Sequence, residues 1–241
     1  MASSIAQALP RSVRARANTT PNPVPLAGLR RLLASRPLEL IQAGDVILRE
    51  HTTSHHLYEI VNGCVRRLLI KPDGRRSIID FLFAGDFFGD LLEGEHSLTA
   101  EAVTDLEIRR ISRAQLHAAH AEFPNLENEL LALAWHDLSA AQHHVVLLGA
   151  NTARARVAMF LLEAAKWNKN PDHGASPTDE IELPMSRLDI ADFLGLTIES
   201  VSRVLTQFKV SGLISVRGIH KIVLKKVPEL QRLAGEDEYG M

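Results

Sequence analysis

The chain has 241 residues, 46% hydrophobic and 23% charged, with a formal net charge of −2. This is a globular composition with room for two cored domains, and it excludes a wholly disordered or fibrous chain. The single cysteine, Cys64, excludes an internal disulfide and any cluster that needs about four thiolates, and no stretch approaches the roughly 20 apolar residues of a membrane span.

Residues 1–25, with Arg11, Arg14 and Arg16 and four prolines, read as a disordered basic tail. An organellar transit peptide has a similar composition, but clear apolar amphipathicity is missing. A flexible arm that touches DNA is the alternative.

Residues 26–125 hold short apolar runs separated by turn signals. Ile47-Leu48, Leu57–Val61, Cys64–Ile70, Ser77–Phe83 and Leu106–Ile111 are punctuated by Ala43-Gly44-Asp45, Asn62-Gly63, Pro72-Asp73-Gly74 and Ala84-Gly85-Asp86. Asn-Gly and Asp-Gly are hairpin signals, and strands at about ten-residue spacing predict an antiparallel barrel or double-stranded roll. Cys64 lies within a β-type run, where a buried apolar role is expected.

Residues 126–150 read as one long helix. Leu131, Ala134, Leu138, Ala141, Val145 and Leu148 alternate in steps of three and four, a coiled-coil seam that predicts a dimer. A single amphipathic helix lying on the roll fits the same residues. Asn151–Trp167 reads as a further helix, and the polar segment Asn168–Glu180 as a linker.

Met185–Lys209 reads as two short helices broken by a tight turn. Ser186 is placed to cap the first, with Asp189 at the third helical position, and Leu188, Ile190, Ala191 and Leu194 form its apolar face up to Gly195. Thr197 caps a second helix anchored by Val201, Val204, Leu205 and Phe208. Its polar side carries Glu199, Ser202 and Arg203. Arg203 can donate twice to guanine O6 and N7, Glu199 can accept from a cytosine or adenine amino group, and Ser202 is small enough to meet a thymine methyl. Ser186, Arg187, Thr197, Ser200 and Lys221 are candidates for phosphate. The runs around Gly218 predict a β wing, which places a winged helix-turn-helix in residues 151–241.

Charge follows the same division. Residues 39–183 hold 13 basic and 22 acidic groups, whereas residues 184–226 hold seven basic and three acidic. A basic module beside an acidic one suits phosphate contact by the C-terminal part alone. No nucleophile elbow, phosphate-binding loop or His-Glu-x-x-His is present, so no enzyme is expected.

The order of these elements over residues 38–226, with Gly85-Asp-Phe-Phe-Gly89 near the end of the roll, resembles the CRP/FNR superfamily of bacterial transcription regulators. Glu199-x-x-Ser202-Arg203 matches the Glu-x-x-Ser-Arg pattern of the FNR and FixK branches, and Leu183–Leu196 looks closest to FixK. The resemblance implies an α+β fold: an N-terminal antiparallel β-roll like a cyclic-nucleotide-binding jelly roll, a long dimerisation helix, and the winged helix-turn-helix. It further implies a cytoplasmic homodimeric activator that binds TTGA-like inverted repeats in low-oxygen and nitrogen-fixation gene control. RNA polymerase would be a partner; an exposed turn such as Lys71–Arg76 could touch it, and a solvated hairpin, the preferred reading, fits the same residues.

Cyclic-nucleotide binders of this superfamily present an arginine to the cyclic phosphate after a Gly-Glu turn. Here the turn is Gly89-Asp90, and Glu93–Thr99 contains Glu93 and Glu95 but no arginine, so phosphate would meet like charge. FNR-type oxygen sensors use four cysteines. The resemblance to FixK implies a dimer that is active without a cofactor. Haem is the runner-up sensor, since 11 histidines include His55-His56, His96, His117, His120 and His143-His144. His117 and His120 without a third ligand are a poor zinc signal, and no metal site is expected. A cyclic-nucleotide-like roll acting on a partner protein is the competing non-DNA reading.

Overall fold

A computed structural model describes residues 26–53, 56–89, 95–167, 180–218 and 220–235. The basic tail of residues 1–25, residues 90–94 (including Glu93) and the linker residues 168–179 lie outside the described residues.

Helix α1 (Ala27–Ala34) precedes eight strands: β1 (Glu39–Ile41), β2 (Val46–Leu48), β3 (His56–Asn62), β4 (Cys64–Ile70), β5 (Arg76–Phe83), β6 (Phe87–Phe88), β7 (Thr99–Ala102) and β8 (Leu106–Ser112). They form two four-stranded antiparallel sheets, ordered β1-β8-β3-β6 and β2-β7-β4-β5. Alternation places Tyr58 and Ile60 of one sheet against Val65, Leu82 and Ala100 of the other, and these form the interior of the roll. The expected double-stranded roll is present. Sequence reading did not anticipate β1, β6 and β7, which at two to four residues are too short to show a period.

The two hairpin signals behave differently. At Asp73-Gly74 the turn closes a β4–β5 hairpin: Gly74 N donates to Lys71 O at 2.8 Å and Lys71 N to Arg75 O at 2.9 Å. At Asn62-Gly63, where a hairpin was expected, none forms. Strand β3 already pairs with β8 and β6, and β4 with β5 and β7, so neither has a free edge for the other. The chain instead passes from one sheet to the other at Gly63, whose φ is +99°.

After β8, helix α2 (Arg113–Ala118) starts with a capping box of Ser112 and Gln115, and helix α3 (Leu126–Leu148) follows. At 23 residues, α3 is about 34 Å long. Its first turn is anchored, because the Glu129 carboxylate accepts from Gly28 N at 2.9 Å and Leu29 N at 2.7 Å, capping α1. Helix α4 (Ala153–Trp167) leads to strand β9 (Glu180–Glu182), α5 (Arg187–Leu194), α6 (Ile198–Val210), strands β10 (Ile214–Arg217) and β11 (Lys221–Leu224), and α7 (Val227–Ala234). Strand β9 corrects one end of the expected linker: Glu180 starts a strand that pairs with β11, which makes the wing three-stranded.

One apolar cluster crosses the whole C-terminal part. Cys64, Leu68, Ile78 and Phe81 on the outer face of the roll join Phe160, Leu161, Phe193, Leu194, Leu205 and Phe208. The α5–α6 pair therefore rests on the roll as well as on α4. None of the helices is long and apolar enough to cross a membrane, among the described residues.

Candidate nucleic-acid interface

Helices α5 and α6 form as their sequences dictate. Ser186 Oγ accepts from Asp189 N at 3.1 Å, while Asp189 Oδ2 accepts from Ser186 N at 3.1 Å and Ser186 Oγ at 2.7 Å, a complete capping box. The helix ends at Gly195, in the left-handed conformation at φ +61°. Thr197 Oγ1 then accepts from Ser200 N at 3.3 Å and starts α6. The face expected for α5 needs one correction. Buried Asp189, Ile190, Phe193 and Leu194 share a side, and Leu188, turned by about 100° per residue, falls opposite them and is exposed. Phe193 takes the core place expected for Leu188.

On α6, Val201, Val204, Leu205 and Phe208 are buried, and Glu199, Ser202 and Arg203 are exposed together on the other side. The Glu199 carboxyl is held below its ordinary range by its own backbone amide, by the Thr197 hydroxyl and by the charge of Arg203. It remains an acceptor throughout the neutral range. Ser186 and Thr197 are exposed at the two helix starts, and Ser200 is half-buried. Arg187 is half-buried, burial lowers its pKa, and its Nη1 has no hydrogen-bond partner among the described residues. Lys221 is exposed on the wing and pairs with Glu180 at 3.3 Å, as does Arg217 at 3.2 Å.

The six seam positions of α3, Leu131, Ala134, Leu138, Ala141, Val145 and Leu148, are all exposed in the single chain, Leu131 and Val145 to 70%. Trp135 and Val146 widen this apolar face. The stripe through Asp137 and His144 makes contacts with the rest of the chain: Asp137, itself exposed, reaches Arg67 at 3.2 Å, and the half-buried His144 ring stacks on Phe193 at 4.3 Å with Nε2 2.8 Å from Phe193 O.

Sequence reasoning missed the contacts that hold α5 and α6 in place. Asp189 Oδ1 accepts from Arg66 at 3.2 Å and Arg76 at 3.1 Å, and Asp192 accepts from Arg76 at 2.9 Å. Arg156 of α4 donates to Ala150 O and Leu194 O, both at 3.0 Å, tying the α3–α4 corner to the end of α5. Arg76, grouped with an exposed turn in the sequence, is folded under α5. No local pattern announces pairs more than 100 residues apart.

Cys64 is buried, and burial pushes its thiol up, so one inert thiol does not fit a four-thiolate cluster. His120 pairs with Glu127 at 2.9 Å, and no group of three or more His, Cys, Asp or Glu side chains converges among the described residues.

Residues 38–123 match the family model for a cyclic nucleotide-binding domain, and residues 155–233 that for a Crp-like helix-turn-helix domain. The nitrogen fixation regulation protein FixK of Azorhizobium caulinodans is 37% identical over 83% of this chain and 84% of its own length. The fumarate and nitrate reduction regulatory protein of Escherichia coli is 30% identical over 81% and 77%. The solved structure of FixK2 from Bradyrhizobium japonicum superposes with a TM-score of 0.74 at 35% identity, covering 82% of this chain and 96% of that one. These relatives are regulators rather than enzymes. With a roll, a long helix and a winged pair matching theirs, the chain belongs to the CRP/FNR family of DNA-binding transcription regulators, in its FixK-like branch.

Proposed function

We propose that two copies of the chain pair along Leu131, Ala134, Leu138, Ala141, Val145 and Leu148 and place two α6 helices in successive major grooves. Recognition helices of such dimers sit roughly 34 Å apart, one turn of the duplex. Glu199, Ser202 and Arg203 read bases in TTGA-like half-sites of an inverted repeat. Ser186, Arg187, Thr197, Ser200 and Lys221 hold phosphates, Lys221 by exchanging Glu180 for the backbone. The regulator works in the bacterial cytoplasm, chiefly as an activator that engages RNA polymerase, and its targets are low-oxygen genes and nitrogen-fixation genes, the latter being what its FixK relatives are named for.

One observation carries this reading: the first two turns of α6 expose an acid, a hydroxyl and a guanidinium on one side while Val201, Val204 and Leu205 on the other side are buried. That is how a major-groove helix is mounted. A cofactor-free regulator is supported by the arginine-free stretch Glu93–Thr99 and the single cysteine. The test is a gel shift with a TTGA-containing inverted repeat against a scrambled duplex at moderate salt. Equal affinity for the two would end the proposal.

A further inference from the structure

The β4–β5 hairpin grips two other parts of the molecule. On one side Arg67 forms a multiply bonded pair with Asp80 and reaches Asp137 of α3 at 3.2 Å. Burial would lower the pKa of this guanidinium, but the hydrogen bonds and charges of Asp80 and Asp137 hold it above its ordinary value. It is therefore a fixed cation. On the other side Arg66, itself steadied by Glu101 at 2.7 Å, and Arg76 reach Asp189 and Asp192 of α5.

Asp189 is only 4% exposed, and its two oxygens do different work. Oδ2 closes the capping box that starts α5, and Oδ1 receives the two roll arginines. Orientation of the cap and docking on the roll thus share one carboxylate. A buried carboxylate left without cations is costly, so undocking exposes or strands a charge. At the other end of α5, His144 and Arg156 hold the carbonyls of Phe193 and Leu194. The helix is fastened at both ends by groups outside the reading pair.

We propose that Arg66 and Arg76, residues of the roll, are positioning residues for DNA recognition: through Asp189 and Asp192 they hold the reading pair in the DNA-competent orientation without a bound effector. In this docked arrangement the α3 seam and Glu199, Ser202 and Arg203 are exposed at the same time, so neither pairing nor base reading has to wait for release from the roll. With the brace intact, the cost of ordering two swinging heads is met before DNA arrives. The inference rests on the DNA-reading assignment for its consequence, but not for the brace itself.

Arg76→Gln is the variant to measure, with Asp192→Asn as the same break made from the other side. Each should weaken binding to the inverted repeat by about tenfold, within the roughly 5–150-fold usual for coupling between sites. The salt dependence should keep its slope, since a residue that touches phosphate would reduce it by about one. Arg76→Lys, which keeps a cation between Asp189 and Asp192, should recover most of the affinity that Arg76→Gln loses. Amide hydrogen exchange across residues 187–210 should quicken in Arg76→Gln while the melting of the roll is unchanged. Unaltered affinity with an unaltered exchange pattern, a reduced salt slope, or an Arg76→Lys protein as weak as Arg76→Gln would each overturn the brace. If the native chain selects no inverted repeat, the DNA-reading assignment fails alone, and hydrogen exchange still decides the brace.

Discussion

Replacing Leu138 with Glu tests the dimer where its physics is simplest. Leu138 is 49% exposed in the single chain, so its substitution costs the monomer only its buried half, about 1 kcal/mol. In the paired state it would lose that remaining half. Complete burial of a leucine is worth about 1.5–3 kcal/mol, so half is worth about 1 kcal/mol per copy and about 2 kcal/mol across the twofold axis. Two carboxylates brought together on the axis add at least about 2 kcal/mol of desolvation and repulsion. A total near 4 kcal/mol, at about 1.4 kcal/mol per decade, raises the dimer dissociation constant by about a thousandfold. Sedimentation velocity across a concentration series measures this directly, with thermal melting of the dilute variant as the control for folding. A Leu138→Glu protein that sediments as the native one does, or one that loses its folded core with its dimer, would refute the reasoning.

Arg203→Ala should cost roughly 1–3 kcal/mol per half-site and relax base preference at one position, whereas Lys221→Ala should weaken all duplexes alike and reduce the salt slope; equilibrium binding to single-base variants of the repeat separates the two. Gly63→Ala should destabilise the roll by at least about 2 kcal/mol, because the residue sits at φ +99° and its new Cβ would lie 2.5 Å from Asp105 O, a backbone atom that cannot swing away; denaturant titration reads this loss. Glu59 is buried beneath α1, and burial raises its carboxyl above the ordinary range despite Arg109 and Arg30. Its ionised form thus opposes folding above the raised pKa, and the opposition fades as pH falls through that value. Glu59→Gln should accordingly raise the melting temperature at neutral pH, by a margin that closes toward pH ~4.

What the sequence made legible was local. Capping at Ser186 and Thr197, the glycine turn at 195 and the amphipathic spacing of α6 are written in neighbouring residues, and the structure forms each of them. The Asp73-Gly74 turn is equally self-contained. Asn62-Gly63 misled because a turn residue specifies a backbone angle and not which strand lies across from which; both flanking strands found other partners. Leu188 misled because the side of α5 that is buried is chosen by Phe81, Phe160 and His144, which gather around Phe193 from three distant elements. Neither fact has a signature within a short window.

Charge shows why counts along the chain are a blunt guide to an interface. The excess of seven basic over three acidic groups in residues 184–226 marks a basic module. In space, Asp189 and Asp192 are turned into the roll and are answered by Arg66 and Arg76, while Arg217 and Lys221 of the wing are answered by Glu180 from outside that window. Two acids leave the reading surface and two wing cations are partly neutralised. The acid still exposed between the capping residues and the wing is Glu199, beside Arg203. With two acids turned into the roll and Glu180 alone set against the two wing cations, the exposed surface is more basic than the count suggests, so on the proposed reading bulk attraction to phosphate and contact geometry at this pair would act together. The carboxylates that lower the apparent basicity of the module are the ones that fix its orientation, so removing them to strengthen phosphate binding would loosen the surface that reads.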